Sequence, residues 1–571
     1  MTSTYDVLLG RLQSAFDAIR VGADPVLRPS ERGDYQANGV MALAKSEGVA
    51  PRELATRVLE HLDLSDVGVV EVAGPGFLNI TLTPQFLDAQ LRELGRDQRL
   101  GVPRREGQRV VIDYSAPNVA KEMHVGHLRS TVIGDALARL HRFRGDVVIA
   151  RNHVGDWGTP FGMLIEHLLD LGEEAAVASL SIGDLDSFYR AARAKFDADD
   201  AFKERSRLRV VALQSGDPET RRLWQLLVDE SVAYFADVYQ ALDVTLTPAD
   251  VVGESYYNDM LADVVADLAS AGLLVESDGA LCVFPSGFTT REGDPLPLIV
   301  QKRDEGFGYA ATDLAAVRDR VVRLGADEML YVVGAPQAQH FAMVFAVARA
   351  AGWLPDAVHC EHVAFGNVLG PDRKMFKSRT GETVKLIGLL DEARSRARVA
   401  LATRSPEMDD DARETLATQI ARAAVKYADL STDRQRDYVF DLDRMIAFEG
   451  DTGPYLQYAH ARLRSILRRV PEATAIDAVT FSLTEDAERQ LALGVMGFPE
   501  ALDGALATSQ PHRLSGYLFD LAQRLSAFYE ACPVIAAPEP VRGERVALCE
   551  ITARTLALGL SLLGIDAPDQ M

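Results

Sequence analysis

Residues 109–151 constrain this chain more than any other stretch, because the hydrophobic period changes there three times within about forty residues. RVVIDYS is a run of β-branched and apolar residues that reads as a buried strand, and APNVAKEMHVGH reads as a loop. LRSTVIGDALARLHRFRG follows with helical spacing and Gly145 just past its end, and VVIARN is a second strand. Strand, loop, helix, strand is a βαβ unit, which demands a parallel sheet. Strand signals return at 295–301, 329–334 and 361–366, beyond a block at 160–275 that is mostly helical in pattern and reads as an insertion. From about residue 385 onward nearly everything has helical period, interrupted by CPVIAAPEPVRGER. Ahead of the βαβ unit, residues 5–20 and 36–62 are helical in spacing, and VGVVEVAGPGFLNITL reads as two short strands around a Pro-Gly turn. The expectation is an α/β protein of three regions: a small α/β domain over 1–98, a parallel-sheet domain with an insertion over 99–440, and an all-α domain over 441–571.

Composition narrows the function classes. Lys and Arg number 60 against 83 Asp and Glu, a net charge of −23 over 571 residues, and the acidity is spread along the chain. On average that field repels polyanions and anionic membranes, so any contact with nucleic acid has to come from local basic stripes. Three stand out, at 121–129, 373–379 and 462–469. Cys282, Cys360, Cys532 and Cys549 lie far apart with no zinc-ligand spacing, so reduced thiols and no structural metal site are expected. No apolar run approaches 18 residues, and Asp6 and Arg11 interrupt the N-terminus where a signal peptide would be apolar. A cytoplasmic protein with no membrane partner is the expectation.

Two of the basic stripes carry chemistry. His124 and His127 are three apart, straddle Val125-Gly126 at the start of the expected helix, and follow Lys121. A helix start offers free N–H groups and positive potential to a phosphate. Gly126 lets a planar ligand approach the backbone, and two imidazoles with an ammonium suit the charge that builds on an α-phosphate under attack. About 250 residues later, GPDRKMFKSRTGETVKL places Arg373, Lys374, Lys377 and Arg379 between Gly370 and Gly381, a pattern suited to following charge onto a leaving pyrophosphate.

Together these clusters are H-x-G-H and K-M-x-K-S, the pair that marks class I aminoacyl-tRNA synthetases. DYSAPNVAKEMHVGHLRSTVIGDAL, NHVGDWGT and KMFKSRTGETVKL resemble the arginyl-tRNA synthetase family specifically. The resemblance continues through GDYQANGVMALAK, VAGPGFLNI, GESYYND, ADLSTDRQRDYVFDLDRMIAFEGDTGPYLQYAHAR and SGYLFDLAQRLSAFYEACPV, in order over essentially the whole chain. It implies a Rossmann-type catalytic domain with an insertion, preceded by an additional N-terminal domain and followed by an all-α anticodon-binding domain. It also implies a two-step reaction: L-arginine and ATP, accompanied by Mg²⁺, give arginyl-adenylate. The arginyl group then passes to the 2′-hydroxyl of the terminal adenosine of tRNA(Arg). A monomer is the family expectation.

The resemblance also assigns residues. His124, His127, Lys121 and Lys377 are the expected catalytic groups, with Gly126 and Lys374 beside them at ATP. Asp113, Asn118, His127, Glu254, Tyr309, Asp313 and Gln337 are expected around arginine, Tyr309 and Asp313 sharing one face if their segment begins a helix. Asp313 also fits a helix N-cap. For tRNA, Asn79 matches a D-loop contact. Arg462 and Arg468 lie in ARLRSILRRV, which reads equally as a solvated face or as a phosphate contact. Tyr517 suits either core packing or stacking on a splayed base. Pro160 stands where many relatives have Gln, and Gln570 where an arginine is frequent. A specialised or inhibitor-resistant duplicate, an adenylating ligase with a small-molecule acceptor, and a silent paralogue that only binds tRNA remain alternative readings; intact motifs in all three regions speak against the last two.

Overall fold

A computed structural model describes residues 2–176, 185–303, 306–374, 376, 384–470 and 476–571. The chain divides into two compact units: Met1–Arg104 with Phe448–Ser561 and Asp566–Met571, and Arg105–Ala447 with Leu562–Ile565.

In the second unit, β1 (Arg109–Asp113), α1 (Val125–Arg144) and β2 (Val147–Arg151) form the expected βαβ element. α2 (Tyr309–Val322), β3 (Glu328–Tyr331), α3 (Ala338–Ala350) and β4 (His359–His362) complete the domain's centre. The sheet order is β4-β3-β1-β2, with every neighbouring pair parallel. The chain leaves β1 toward β2 on one side and later returns to β1's other flank as β3. The carboxyl ends of β1 and β3 therefore diverge into a crevice, the place where open parallel sheets bind ligands.

α1 is buried on most of its circumference, as a helix covering a parallel sheet must be. Gly134 lets it approach: a Cβ there would stand 2.3 Å from Tyr114 Cβ. α1 begins one turn earlier than the helical spacing suggests, because its first turn is held by caps rather than by an apolar face. The strand signal at 295–301 does not join the parallel sheet. Leu298–Gln301 pairs antiparallel with Ala280–Val283, which pairs with Val275–Ser277, a small separate sheet that the acidic, Gly-rich sequence concealed. Helices Pro160–Leu171, Leu185–Ala198, Asp200–Ser215 and Pro218–Leu242 make up the helical insertion.

In the first unit, helix Thr4–Asp17 precedes an antiparallel sheet in the order Leu27–Pro29, Tyr35–Ala37, Phe77–Leu82, Gly68–Ala73. Its first two strands lie in or beside ADPVLRPSERGDY, a stretch rich in Pro, Gly and Arg; Pro29 is tolerated because the strand is at the edge. The N-terminal region does not stand apart from the C-terminal helices. Arg489 donates to Asp34 Oδ2 at 2.6 Å and to the Leu82 carbonyl at 2.9 Å, Arg554 to the Gly95 carbonyl at 2.7 Å, and Phe481 N to Asp88 Oδ1 at 2.8 Å. Among the described residues the four cysteines are unpaired, no helix is long and apolar enough to cross a membrane, and no three His, Cys, Asp or Glu converge as metal ligands.

Candidate functional site

The loop between β1 and α1 is held in an unusual backbone path. Ser115, Ala116 and Ala120 all adopt positive φ (74°, 45° and 59°). Such conformations each cost on the order of 1–3 kcal/mol and persist only where surroundings enforce them. Here Ser115 N donates to Ser130 Oγ at 2.8 Å, Ala116 N to Asn152 Oδ1 at 3.0 Å, and Ala120 N to Ser231 Oγ at 2.9 Å. Tyr239 Oη sits 2.7 Å from Ser115 Oγ and 2.8 Å from Asn152 Nδ2.

At the head of α1 the two histidines cap the helix reciprocally. Gly126 N donates to His124 Nδ1 at 3.0 Å, and His124 N donates to His127 Nδ1 at 3.1 Å; the ring centroids are 4.0 Å apart. Capping and chemistry are thus compatible. With Nδ1 accepting from the backbone, each neutral ring must carry its proton on Nε2, so both are hydrogen-bond donors there. Burial and the facing His124 hold the His127 ring neutral, with its pKa down at about 3; burial also lowers that of His124. Neutral Nε2–H donors at the positive end of a helix suit a phosphate oxygen without requiring protonation. Gly126 is exposed in the first turn. The Lys121 ammonium lies 4.6 Å from the centroid of the Tyr189 ring. Lys374 is exposed, its N–H donating to Asp372 Oδ1. Lys377, Arg379 and Gly381 lie outside the described residues.

The crevice at the ends of β1 and β3 opens as a cavity of about 440 Å³. Asp113, Asn118, Glu254, Tyr309, Asp313 and Gln337 all line it, six of the seven residues expected around arginine; His127 is not among the lining residues. Tyr309 and Asp313 share a face because helix α2 starts at Tyr309. Asp313 is therefore in the second turn and not an N-cap, a correction to that reading, and Gly308 occupies the capping position. Gly155 approaches Asn118 so closely that a Cβ would stand 2.3 Å from its Oδ1.

The cavity is acidic and its carboxylates are held in different ways. Burial pushes Asp113 up, but the Arg320 guanidinium at 2.6 Å and His153 pull it down to about 2. Asp313 Oδ2 is 2.6 Å from His340 Nε2. Glu254 has no such support: burial and the neighbouring Asp156 and Asp313 outweigh the pull of His153 and push it up to about 7. Asp156 in turn is clamped by Ser255 N at 2.8 Å and Ser255 Oγ at 2.6 Å. A cavity that keeps Asp113 ionised and crowds two further carboxylates around Glu254 lowers its energy by taking in a cation.

Sequence reasoning missed His153, Asp156, Arg320 and His340. The first two lie in NHVGDWGT, a string already singled out, and His340 follows Gln337 closely in the chain. Their roles depend on sheet neighbours and could not be read from spacing. Lys385 was missed as well. Its ammonium reaches Glu122 at 2.9 Å, and its backbone pairs with His124.

In the first unit, the Arg462 guanidinium lies 3.5 Å over the Tyr529 ring centroid, in a narrow groove also lined by Tyr455 and Tyr458. Arg468 Nη1 donates to the Asp569 carbonyl at 2.9 Å, next to Gln570. Tyr517 is committed elsewhere: its hydroxyl donates to the Gly494 carbonyl at 2.8 Å and its ring packs on Phe498, which is a packing role and not an open stacking platform. Asn79 Oδ1 accepts from Gln36 Nε2 at 2.7 Å on the antiparallel sheet.

Three family matches cover the chain in order. Residues 91–442 match the class I tRNA synthetase (R) catalytic domain, 456–571 the DALR anticodon-binding domain, and 9–82 the arginyl-tRNA synthetase N-terminal domain. The arginine–tRNA ligase of Thermobifida fusca is 54% identical over 577 residues, covering 100% of both chains, and that of Frankia casuarinae 50% identical over 96% of this chain and 95% of its own. Among solved structures, the arginyl-tRNA synthetase of Plasmodium falciparum superposes with a TM-score of 0.87 at 28% identity over 100% of both chains. That of Thermus thermophilus gives 0.82 at 28% identity, covering 99% of each. With one catalytic-domain match spanning well over half the residues and relatives at half identity from end to end, this chain belongs to the arginyl-tRNA synthetase family of class I aminoacyl-tRNA synthetases.

Proposed function

We propose that the protein is an arginine–tRNA ligase that activates L-arginine with ATP and transfers it to the 2′-hydroxyl of the terminal adenosine of tRNA(Arg). The observation that carries this reading is the placement of the acidic cavity. Asp113, Glu254 and Asp313 converge at the carboxyl ends of β1 and β3, and the same β1–α1 loop that ends one wall leads to the histidine-capped start of α1.

Arginine lies with its guanidinium toward Asp313 and Tyr309, where planar bidentate pairing to a carboxylate is strongest. Its carboxylate oxygen attacks the α-phosphorus of ATP; the bond to the bridging oxygen breaks and pyrophosphate leaves. His124 and His127 donate from Nε2 to phosphate oxygens, and Lys121 and Lys377 share the charge. Gly126 and Lys374 flank the nucleotide. In the second step the 2′-oxygen attacks the arginyl carbonyl and AMP departs. Mg²⁺ bound together with ATP would neutralise part of the phosphate charge.

The tRNA is held through Arg462, Arg468 and the groove over Tyr529 on the helical domain and through Asn79 on the N-terminal domain, with the protein acting as a cytoplasmic monomer. The assay is tRNA-dependent esterification of radiolabelled arginine, with lysine and citrulline as competitors. Charging of arginine well above the other two is expected; charging of lysine or citrulline instead refutes the pocket assignment.

A further inference from the structure

Helix α2 serves both the cavity wall and what lies behind it. Tyr309 and Asp313 line the arginine cavity from its first two turns. Arg320 follows Asp313 by seven residues, two turns along the same face, with Ala316 and Val317 fully buried between them. It therefore sits about 10 Å farther along the helix axis, behind Asp113, and only 1% of it is exposed. Its Nη2 donates to Asp113 Oδ2 at 2.6 Å, and its guanidinium carbon lies 4.7 Å from the centroid of the Tyr331 ring. Asp113 ends β1, Tyr331 ends β3, and the two are paired in register across the parallel sheet. One guanidinium thus ties α2, β1 and β3 together at the carboxyl edge of the sheet. A planar guanidinium holds a carboxylate and an aromatic face at once, in an orientation that a flexible ammonium does not reproduce. The charge of Asp113 does not depend on Arg320 alone, since His153 Nδ1 stands 3.8 Å from the same oxygen. What Arg320 adds is placement: it fixes where Asp113 sits relative to α2, and so relative to Asp313.

We infer that Arg320 is a positioning residue for substrate length: by pinning Asp113 to the helix that carries Asp313, it fixes the span between the two cavity carboxylates at the length of arginine. The inference rests on the arginine reading above. With the guanidinium at Asp313 and Tyr309, the α-ammonium lies at the other end of the side chain. Asp113, on the strand that leads into the loop to His124, is the carboxylate placed to take it. A homologue one methylene longer or shorter meets one carboxylate and misses the other, and the mismatch counts only while the two are held at a fixed separation. Plain support of the fold would affect the binding of all three homologues alike, whereas a fixed span favours arginine over both neighbours in length.

The test titrates the full-length chain in a calorimeter with arginine, homoarginine (one methylene longer) and norarginine (one methylene shorter), without ATP or tRNA. The unmodified protein is expected to prefer arginine to each homologue by at least about tenfold, within the range one methylene is worth in a shaped pocket. Arg320→Met is expected to bring that preference down to about threefold or less against both homologues. Arg320→Lys keeps a cation beside buried Asp113, so the chain folds, but gives up the planar contact with Tyr331; its preference is expected to fall by at least about threefold. A preference in Arg320→Lys within about twofold of the unmodified protein's overturns the inference. So does an equal loss of affinity for all three ligands in Arg320→Met, or an unmodified protein that binds the three alike. Arginine binding without charging of tRNA by the unmodified protein would refute the ligase reading, and the binding ratios would still decide the role of Arg320.

Discussion

Asp313→Asn isolates one charge in the arginine cavity without changing its shape. The carboxylate is mostly enclosed (19% exposed), sits in the second turn of α2 and is held by His340 Nε2 at 2.6 Å, so its orientation does not depend on substrate. Two unit charges about 4 Å apart at an effective dielectric of ~20 attract by ~4 kcal/mol. Asparagine keeps one acceptor oxygen, so about 1 kcal/mol of neutral hydrogen bonding survives. The net loss is ~3 kcal/mol, or roughly 10²-fold in the arginine KM at about 1.4 kcal/mol per tenfold. The assay is steady-state aminoacylation with saturating ATP and tRNA. A second measurement sharpens it: citrulline has the shape of arginine without the charge, so arginine's advantage over citrulline falls by the same factor. An arginine KM within twofold of the unmodified enzyme, or unchanged discrimination against citrulline, refutes the assignment of Asp313 to the guanidinium.

Three further outcomes are expected. Glu254, pushed up to about 7, is protonated in the empty cavity below neutral pH, whereas a bound cation favours its ionised form. The arginine KM should therefore fall as pH rises from about 6 to 8 with a proton released on binding, and Glu254→Gln should flatten the profile; a flat profile in the unmodified enzyme refutes the coupling. His124→Ala removes a phosphate donor and should slow tRNA-dependent ATP–pyrophosphate exchange by ~10²–10³-fold with the arginine KM little changed, a result that equal losses in both would contradict. Gly134→Ala forces a Cβ to 2.3 Å from Tyr114 Cβ and should destabilise the protein by about 1–3 kcal/mol, read as a lower denaturant midpoint; no shift would mean the α1–β1 approach can relax.

The parallel βαβ unit, the helical insertion and the helical C-terminal region were legible in the sequence because each rests on local period. So were the site strings, because the chemistry needs particular residue types at fixed local spacing. What failed was local evidence that the fold overrides. The edge strand Leu27–Pro29 was hidden by its turn-like composition, and 298–301 looked like another strand of the parallel sheet although its partners lie in an antiparallel hairpin. Tyr517, readable either way from its neighbours in sequence, is committed to packing by the carbonyl of Gly494.

The sequence by itself determined which residues could do phosphate and guanidinium chemistry and the order in which their segments occur, since residue type and short spacing are written in the chain. Only the tertiary structure decided how those groups are electrically poised. Arg320 lies 207 positions from the Asp113 it holds ionised, and the carboxylates of Asp156 and Asp313 that crowd Glu254 come from two other segments. A pKa is fixed by burial and by charges within a few ångströms, and when those charges arrive from distant segments only the folded arrangement can set it.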